Sequence, residues 1–137
     1  MPLNRKLQGI MDGRLVKAMD DGENFGFIPV VLRIDTATGG TNSVSVTMER
    51  KFTVIDAHAV LLAAGTTSDT FQVLNGTNAI SDAVDISSVG DKDIARIGEI
   101  DNAQMEIAAG GTLKVTSTGG NTDNPALHVY VTGYYHL

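Results

Sequence analysis

The strictest constraint on this chain lies in its last third. From Gln104 the residues alternate, Met105 and Ile107 with Gln104 and Glu106. Ala109-Gly110-Gly111 marks a tight turn, after which Leu113 and Val115 alternate with Lys114 and Thr116. Beyond a loop at Gly119 to Pro125, Leu127, Val129 and Val131 are interleaved with His128, Tyr130 and Thr132. Side chains of a strand point alternately to its two faces, so this spacing buries one face and wets the other. Nothing reactive occupies the apolar positions. The most strongly patterned part of the chain therefore specifies a shape.

The rest of the body reads in the same period. Phe27 to Ile34 is rich in Val and Ile, and Pro29 near its start suits an edge strand, where a missing N–H breaks no ladder. Thr38-Gly39-Gly40 ends that run, and Val44, Val46 and Met48 alternate next. Phe52 and Val54 follow a charged kink at Glu49-Arg50-Lys51, ahead of a small apolar run from Ala57 to Ala64. Phe71 and Val73 lead into Asn75-Gly76, a hairpin signal because both residues tolerate positive φ, and Ile80 to Ile86 is the expected returning strand. Ile94, Ile97 and Ile100 also fit a helical turn, in a segment too short to decide. Eight or nine short strands with Gly-rich turns imply an antiparallel sandwich or barrel, and a count of about eight favours a jelly roll over residues 23–137.

Residues 1–22 differ. Leu3, Leu7, Ile10, Met11, Leu15 and Met19 recur at helical spacing, but Gly9 and Gly13 interrupt it, each costing about 1 kcal/mol against Ala. The segment reads as an arm or a short broken helix, closed by the turn residues Asp20-Asp21-Gly22. Charge separates it further. Residues 1–51 carry seven basic and six acidic side chains, residues 52–137 three and ten. An acidic body lacks the clustered Lys and Arg that phosphate contacts need, so no nucleic-acid partner is expected. The basic, amphipathic arm suits an acidic protein surface, through Arg5, Lys6, Leu7, Ile10, Met11, Arg14, Leu15 and Lys17.

At 137 residues the chain is sized for one domain with a single core. It has no cysteine, which removes disulfides and thiol catalysis and suits assembly in a reducing cytoplasm. No apolar run approaches the roughly 18 residues of a membrane span, and Met1 to Asp21 lacks the apolar core of a signal peptide.

Candidate chemistry is thin. His58 follows Asp56, but Val60 occupies the place where a His-x-His metal pair would need its second ligand. His128 and His136 stand too far apart along one strand to share an ion. Asp82 with Asp85, and Asp91 with Asp93, are paired carboxylates beside turn signals, where Asp more often caps backbone amides than acts as acid and base. Asn75-Gly76-Thr77 is a sequon better read as a turn. The glycine pairs lack the Lys-Ser/Thr of a phosphate loop. No catalytic residue, metal or cofactor is expected. Tyr130, Tyr134 and Tyr135 are candidate interface anchors, since Tyr joins an apolar body to a polar tip.

A Gly-, Thr- and Ala-rich jelly roll behind an arm resembles the capsid cement (decoration) proteins of tailed bacteriophages. The stretches that carry the resemblance are RKLQGIMDGRLVKAMDDGENFGFIPVVL and the closing hairpin MEIAAGGTLKVTSTGG with ALHVYVTGYYHL. The resemblance implies a homodimer or homotrimer on the outside of an icosahedral shell. It would bind the major capsid protein, clamp neighbouring copies and be assembled in a bacterial host cytoplasm. Two rivals stand beside it: a carbohydrate- or receptor-binding jelly roll of a phage fibre using the tyrosines, and an enzyme using the acidic loops.

Overall fold

The alternating segments form strands that are antiparallel throughout. The computed structural model describes residues 27–119 and 124–137. Its strands are β1 (Phe27–Thr36), β2 (Thr41–Thr47), β3 (Phe52–Leu61), β4 (Thr70–Asn75), β5 (Asn78–Ala79), β6 (Val84–Asp85), β7 (Ile94–Arg96), β8 (Glu106–Ile107), β9 (Thr112–Thr118) and β10 (Leu127–His136). The arm expected over residues 1–22, and its boundary with the body, lie outside the described residues.

The topology follows from one long ribbon folded back on itself. β1 pairs with β10, β2 with β9, β3 with β7 and β8, and β4 with β5 and β6. β7 meets β3 at His58 to Val60 and β8 meets it at Phe52 and Thr53, so the two share one strand position. β5 and β6 share another in the same way along β4. Ten segments thus fill eight positions. Successive ribbon pairs alternate between sheets, and rolling the ribbon sets β10 beside β3 and β9 beside β4. The sheets run β1-β10-β3-β7 and β2-β9-β4-β5. This is the jelly roll that the strand count implied.

Local partners differ from the local pattern in four places. The closing hairpin is not a hairpin, because β8 and β10 lie in one sheet and β9 in the other. Period-2 alternation identifies a strand but not its partner, and the turn at Ala109 to Gly111 hands the chain across the core. Ile94 opens a strand rather than a helical turn, held by Ala95 opposite Ala59. The returning strand after β4 is broken into β5 and β6, and between them Ser81 bridges Ile100. The tight turn there centres on Gly76 and Thr77, because Asn75 is still paired with Asn78. Gly76 alone takes positive φ, at 61°, as the first central residue of a type II′ turn does.

Inward side chains of both sheets meet in one core. Ile34, Phe52, Val54, Ala57, Ala59, Leu61, Leu127, Val129 and Val131 come from the first sheet, and Phe71, Val73, Leu113 and Val115 from the second. Each large apolar side chain so buried contributes about 1.5–3 kcal/mol. β3 carries a bulge, where its register with β10 shifts between Thr132 and Gly133. A single extra residue swaps the two faces of a strand. Accordingly Phe52 and Val54 point inward before the bulge and Ala57, Ala59 and Leu61 after it, while Ile55 is turned out to solvent.

Gly133 makes that crossing possible. A Cβ on it would stand 2.1 Å from the Thr53 carbonyl oxygen and 2.7 Å from the Phe52 ring. Gly133→Ala is expected to cost about 1–3 kcal/mol through overpacking. Gly98→Ala, where a methyl meets nothing within 4 Å, should stay within about 0.5 kcal/mol. Urea unfolding of the two variants measures the contrast.

Candidate functional site

The outer face of the first sheet is where the fold gathers its interaction-prone side chains. Register sets Arg33 opposite Tyr130, Tyr130 opposite His58, and His58 opposite Arg96, in one row across β1, β10, β3 and β7. The row beside it holds Asp35, His128, Val60 and Ile94. On the other side lie Val31, Thr132 and Asp56. These residues face out because their neighbours Ile34, Val129, Val131, Ala57, Ala59 and Ala95 face in.

Within the face, polar groups are held by one another. The Arg33 guanidinium donates from Nε to Asp35 Oδ1 at 2.8 Å and from Nη2 to Asp35 Oδ2 at 2.7 Å. That two-pronged contact holds the Asp35 carboxyl below its ordinary value. Arg96 Nη1 donates to Asp56 Oδ2 at 3.5 Å. His128 Nε2 lies 3.9 Å from Asp35 Oδ1. The His58 and Tyr130 rings stack, with centroids 5.2 Å apart and planes 19° from parallel. Two arginines therefore offset two aspartates, leaving a nearly neutral patch on an otherwise acidic body.

Apolar side chains rim this row. Val31 is 59% exposed, and Ile55 and Ile94 are each 54% exposed. Ile55 is exposed because the bulge rotates it out, and Ile94 because β7 is an edge segment. Exposed apolar side chains around Tyr and Arg match the composition of protein contact surfaces.

The tyrosines separate by strand parity. Tyr130 and Tyr134 point outward, and Tyr134 lies with its ring centroid 5.2 Å from that of His136. Tyr135 points to the core side, edge-on to Phe52 at 5.0 Å. His136 Nε2 shares a 2.8 Å hydrogen bond with Thr53 Oγ1. The arm residues Arg5, Lys6, Leu7, Ile10, Met11, Arg14, Leu15 and Lys17 lie outside the described residues. Arg33, His58, Arg96, Val31, Ile55 and Ile94 were not foreseen as a group. His58 and Val60, set between Ala57, Ala59 and Leu61, carried the parity signal for an outward row. The cross-strand neighbours did not show.

The acidic pairs do not converge. Asp82 lines a shallow depression with Glu99 and Asp101, while Asp85 accepts hydrogen bonds from the Ser87 backbone N–H at 2.9 Å and hydroxyl at 2.6 Å. Those two donors hold the Asp85 carboxyl below its ordinary value, the hydroxyl bond being the stronger cause. Asp91 pairs with Lys92 at 2.6 Å. Among the described residues no three His, Asp or Glu side chains are grouped to hold a metal, and no helix is long and apolar enough to cross a membrane.

Comparison with known proteins adds one distant likeness. No family model matches the chain, and no curated protein does. A solved structure, the cryo-EM structure of a virus-like particle of the extra small virus of the giant freshwater prawn Macrobrachium rosenbergii, aligns at 18% identity. The alignment covers 82% of this chain and 81% of that one, with a TM-score of 0.41. An overlap that loose adds nothing to the strand order, which defines the fold by itself.

Arg33→Ala should release Asp35, so that its carboxyl titrates closer to the ordinary 3.8. The pair stabilises the fold above that ordinary value, and the gain disappears as pH falls through the lowered one. Both groups are exposed and screened by solvent, so stability near neutral pH should barely change. Carboxyl-carbon NMR titration and urea unfolding read the two quantities.

Proposed function

We propose that this chain is a structural virion protein that binds the outside of a capsid and cements neighbouring copies of its major subunit. It performs no catalysis in this reading. The observation that carries it is the outer face of the first sheet. A rigid, hydrogen-bonded platform presents Tyr130, Tyr134, Arg33 and Arg96 among exposed Val31, Ile55 and Ile94. Preformed contact surfaces of this kind lose little entropy on docking. Near-neutrality lets the face approach another protein although the body repels acidic surfaces.

The basic arm complements this face as a tether, and a two-fold or three-fold homo-oligomer would let one small module bridge several shell subunits. The bacteriophage setting and assembly in a host cytoplasm belong to the same proposal and rest on the resemblance in the sequence.

A glycan-binding role has one candidate platform, the Tyr130 ring. Sugar stacking needs an open aromatic face. His58 covers one face of Tyr130, and Arg33 stands beside it on β1. The geometry therefore favours a protein partner.

The test is sedimentation of the purified protein with shells assembled without it. Wild type should co-sediment at saturable occupancy. Ile55→Asp with Ile94→Asp should weaken binding at least about tenfold, because docking would then bury two unpaired carboxylates. Deletion of residues 1–22 should weaken it independently. Wild type that stays in the supernatant would remove the proposal.

A further inference from the structure

At one end of the second sheet a carboxylate is sealed in without a counter-charge. Asp69 precedes β4 and is 0% exposed. Its Oδ2 accepts from the Thr66 backbone N–H at 2.6 Å and from Thr66 Oγ1 at 2.8 Å. Its Oδ1 has no donor. Among the described residues no Lys, Arg or His forms an ion pair with it. A second oxygen nearby is in the same condition. Asn124, also 0% exposed, donates from Nδ2 to Ser117 Oγ at 3.0 Å, while its Oδ1 has no donor. Its backbone carbonyl is used, accepting from Gly39 N–H at 3.0 Å.

The two side chains face the same place. A Cβ built on Gly119, which follows β9, would lie 2.8 Å from Asp69 Oδ1 and 2.9 Å from Asn124 Cγ. Gly119 thus lets a backbone, a carboxylate and an amide crowd around one point. A buried carboxylate without an opposite charge is far costlier than an unpaired neutral group. A cation would supply positive charge and accept lone pairs from both oxygens.

We propose that Asp69 Oδ1 and Asn124 Oδ1 are ligands of a hard cation, calcium by the chemistry of the donors. One carboxylate and one amide oxygen, with no nitrogen or sulfur in the set, suit calcium better than zinc or copper. The ion would tie the turn before β4 to the segment that leads into β10. It is separate from the outer face of the first sheet and does not depend on the capsid reading.

Thermal unfolding in EGTA, then in millimolar CaCl2, MgCl2 or NaCl, tests it. Wild type should melt about 4 °C or more higher with calcium than in EGTA, the shift expected of an ion bound only to the folded state. Asp69→Asn should abolish the calcium response. In EGTA it should melt at or above wild type, because the amide keeps one acceptor for Thr66 and removes the buried charge. Asn124→Asp should gain calcium affinity by about tenfold in calorimetric titration, a gain that misfolding cannot imitate. Asp85→Asn, at an exposed carboxylate held by Ser87, should respond to calcium as wild type does. Wild-type melting that is the same in EGTA and in all three salts would overturn the site and leave the two oxygens to a turned Asn124 amide or a proton.

Discussion

Everything in this molecule hangs on the position of β10. It is matched along its whole length to β1 on one side and, through the bulge, to β3 on the other. A strand so placed has no free edge, and its two faces have opposite duties. Leu127, Val129 and Val131 fill the core with no exposed surface, while His128, Tyr130, Thr132 and Tyr134 form the middle of the outer face. The core and the candidate interface are therefore two sides of one ten-residue strand. Neither can shift register without moving the other.

The bulge on β3 links packing to function in a second way. It lets Phe52 and Val54 continue the core where simple alternation would have turned them out. The cost is an isoleucine left in water at Ile55. An exposed large apolar side chain is ordinary when solitary, but here Ile94 and Val31 share the same sheet face around stacked and ion-paired groups. The edges of the first sheet are managed differently. Pro29 and the Arg33–Asp35 pair sit on β1, and the other edge is broken into the short segments β7 and β8. These devices discourage edge-to-edge pairing, so the broad outer face is the better surface to present.

Strand identity was legible because period 2 is a local property. The alternation of Leu113 and Val115, of Leu127 to Val131, and of Phe71 and Val73 each became a strand with the expected inward side. The strand count led to the jelly roll, and Pro29 marked an edge as the missing N–H requires. Partnership was not legible. MEIAAGGTLKVTSTGG reads as a hairpin, yet β8 and β9 belong to opposite sheets, because alternation says nothing about which ladder accepts a strand. The same gap hid the outward row. Arg33, His58, Tyr130 and Arg96 are widely separated in the chain and adjacent only through register. Tyr135 was grouped with its neighbours by composition, although parity sends it to Phe52. The bulge could not be read either, since Ile55 looks like any other strand residue until Val54 opposite Gly133 and Asp56 opposite Thr132 are seen to leave it without a partner.

A map of the assembled particle, resolved well enough to trace this chain on a shell, reaches the core of the proposal most directly. It should show the β1-β10-β3-β7 sheet lying against capsid subunits, with Val31, Ile55 and Ile94 within about 4.5 Å of their side chains. A map in which that sheet faces bulk solvent, with contact made through the opposite sheet or through no part of the sandwich, would contradict it.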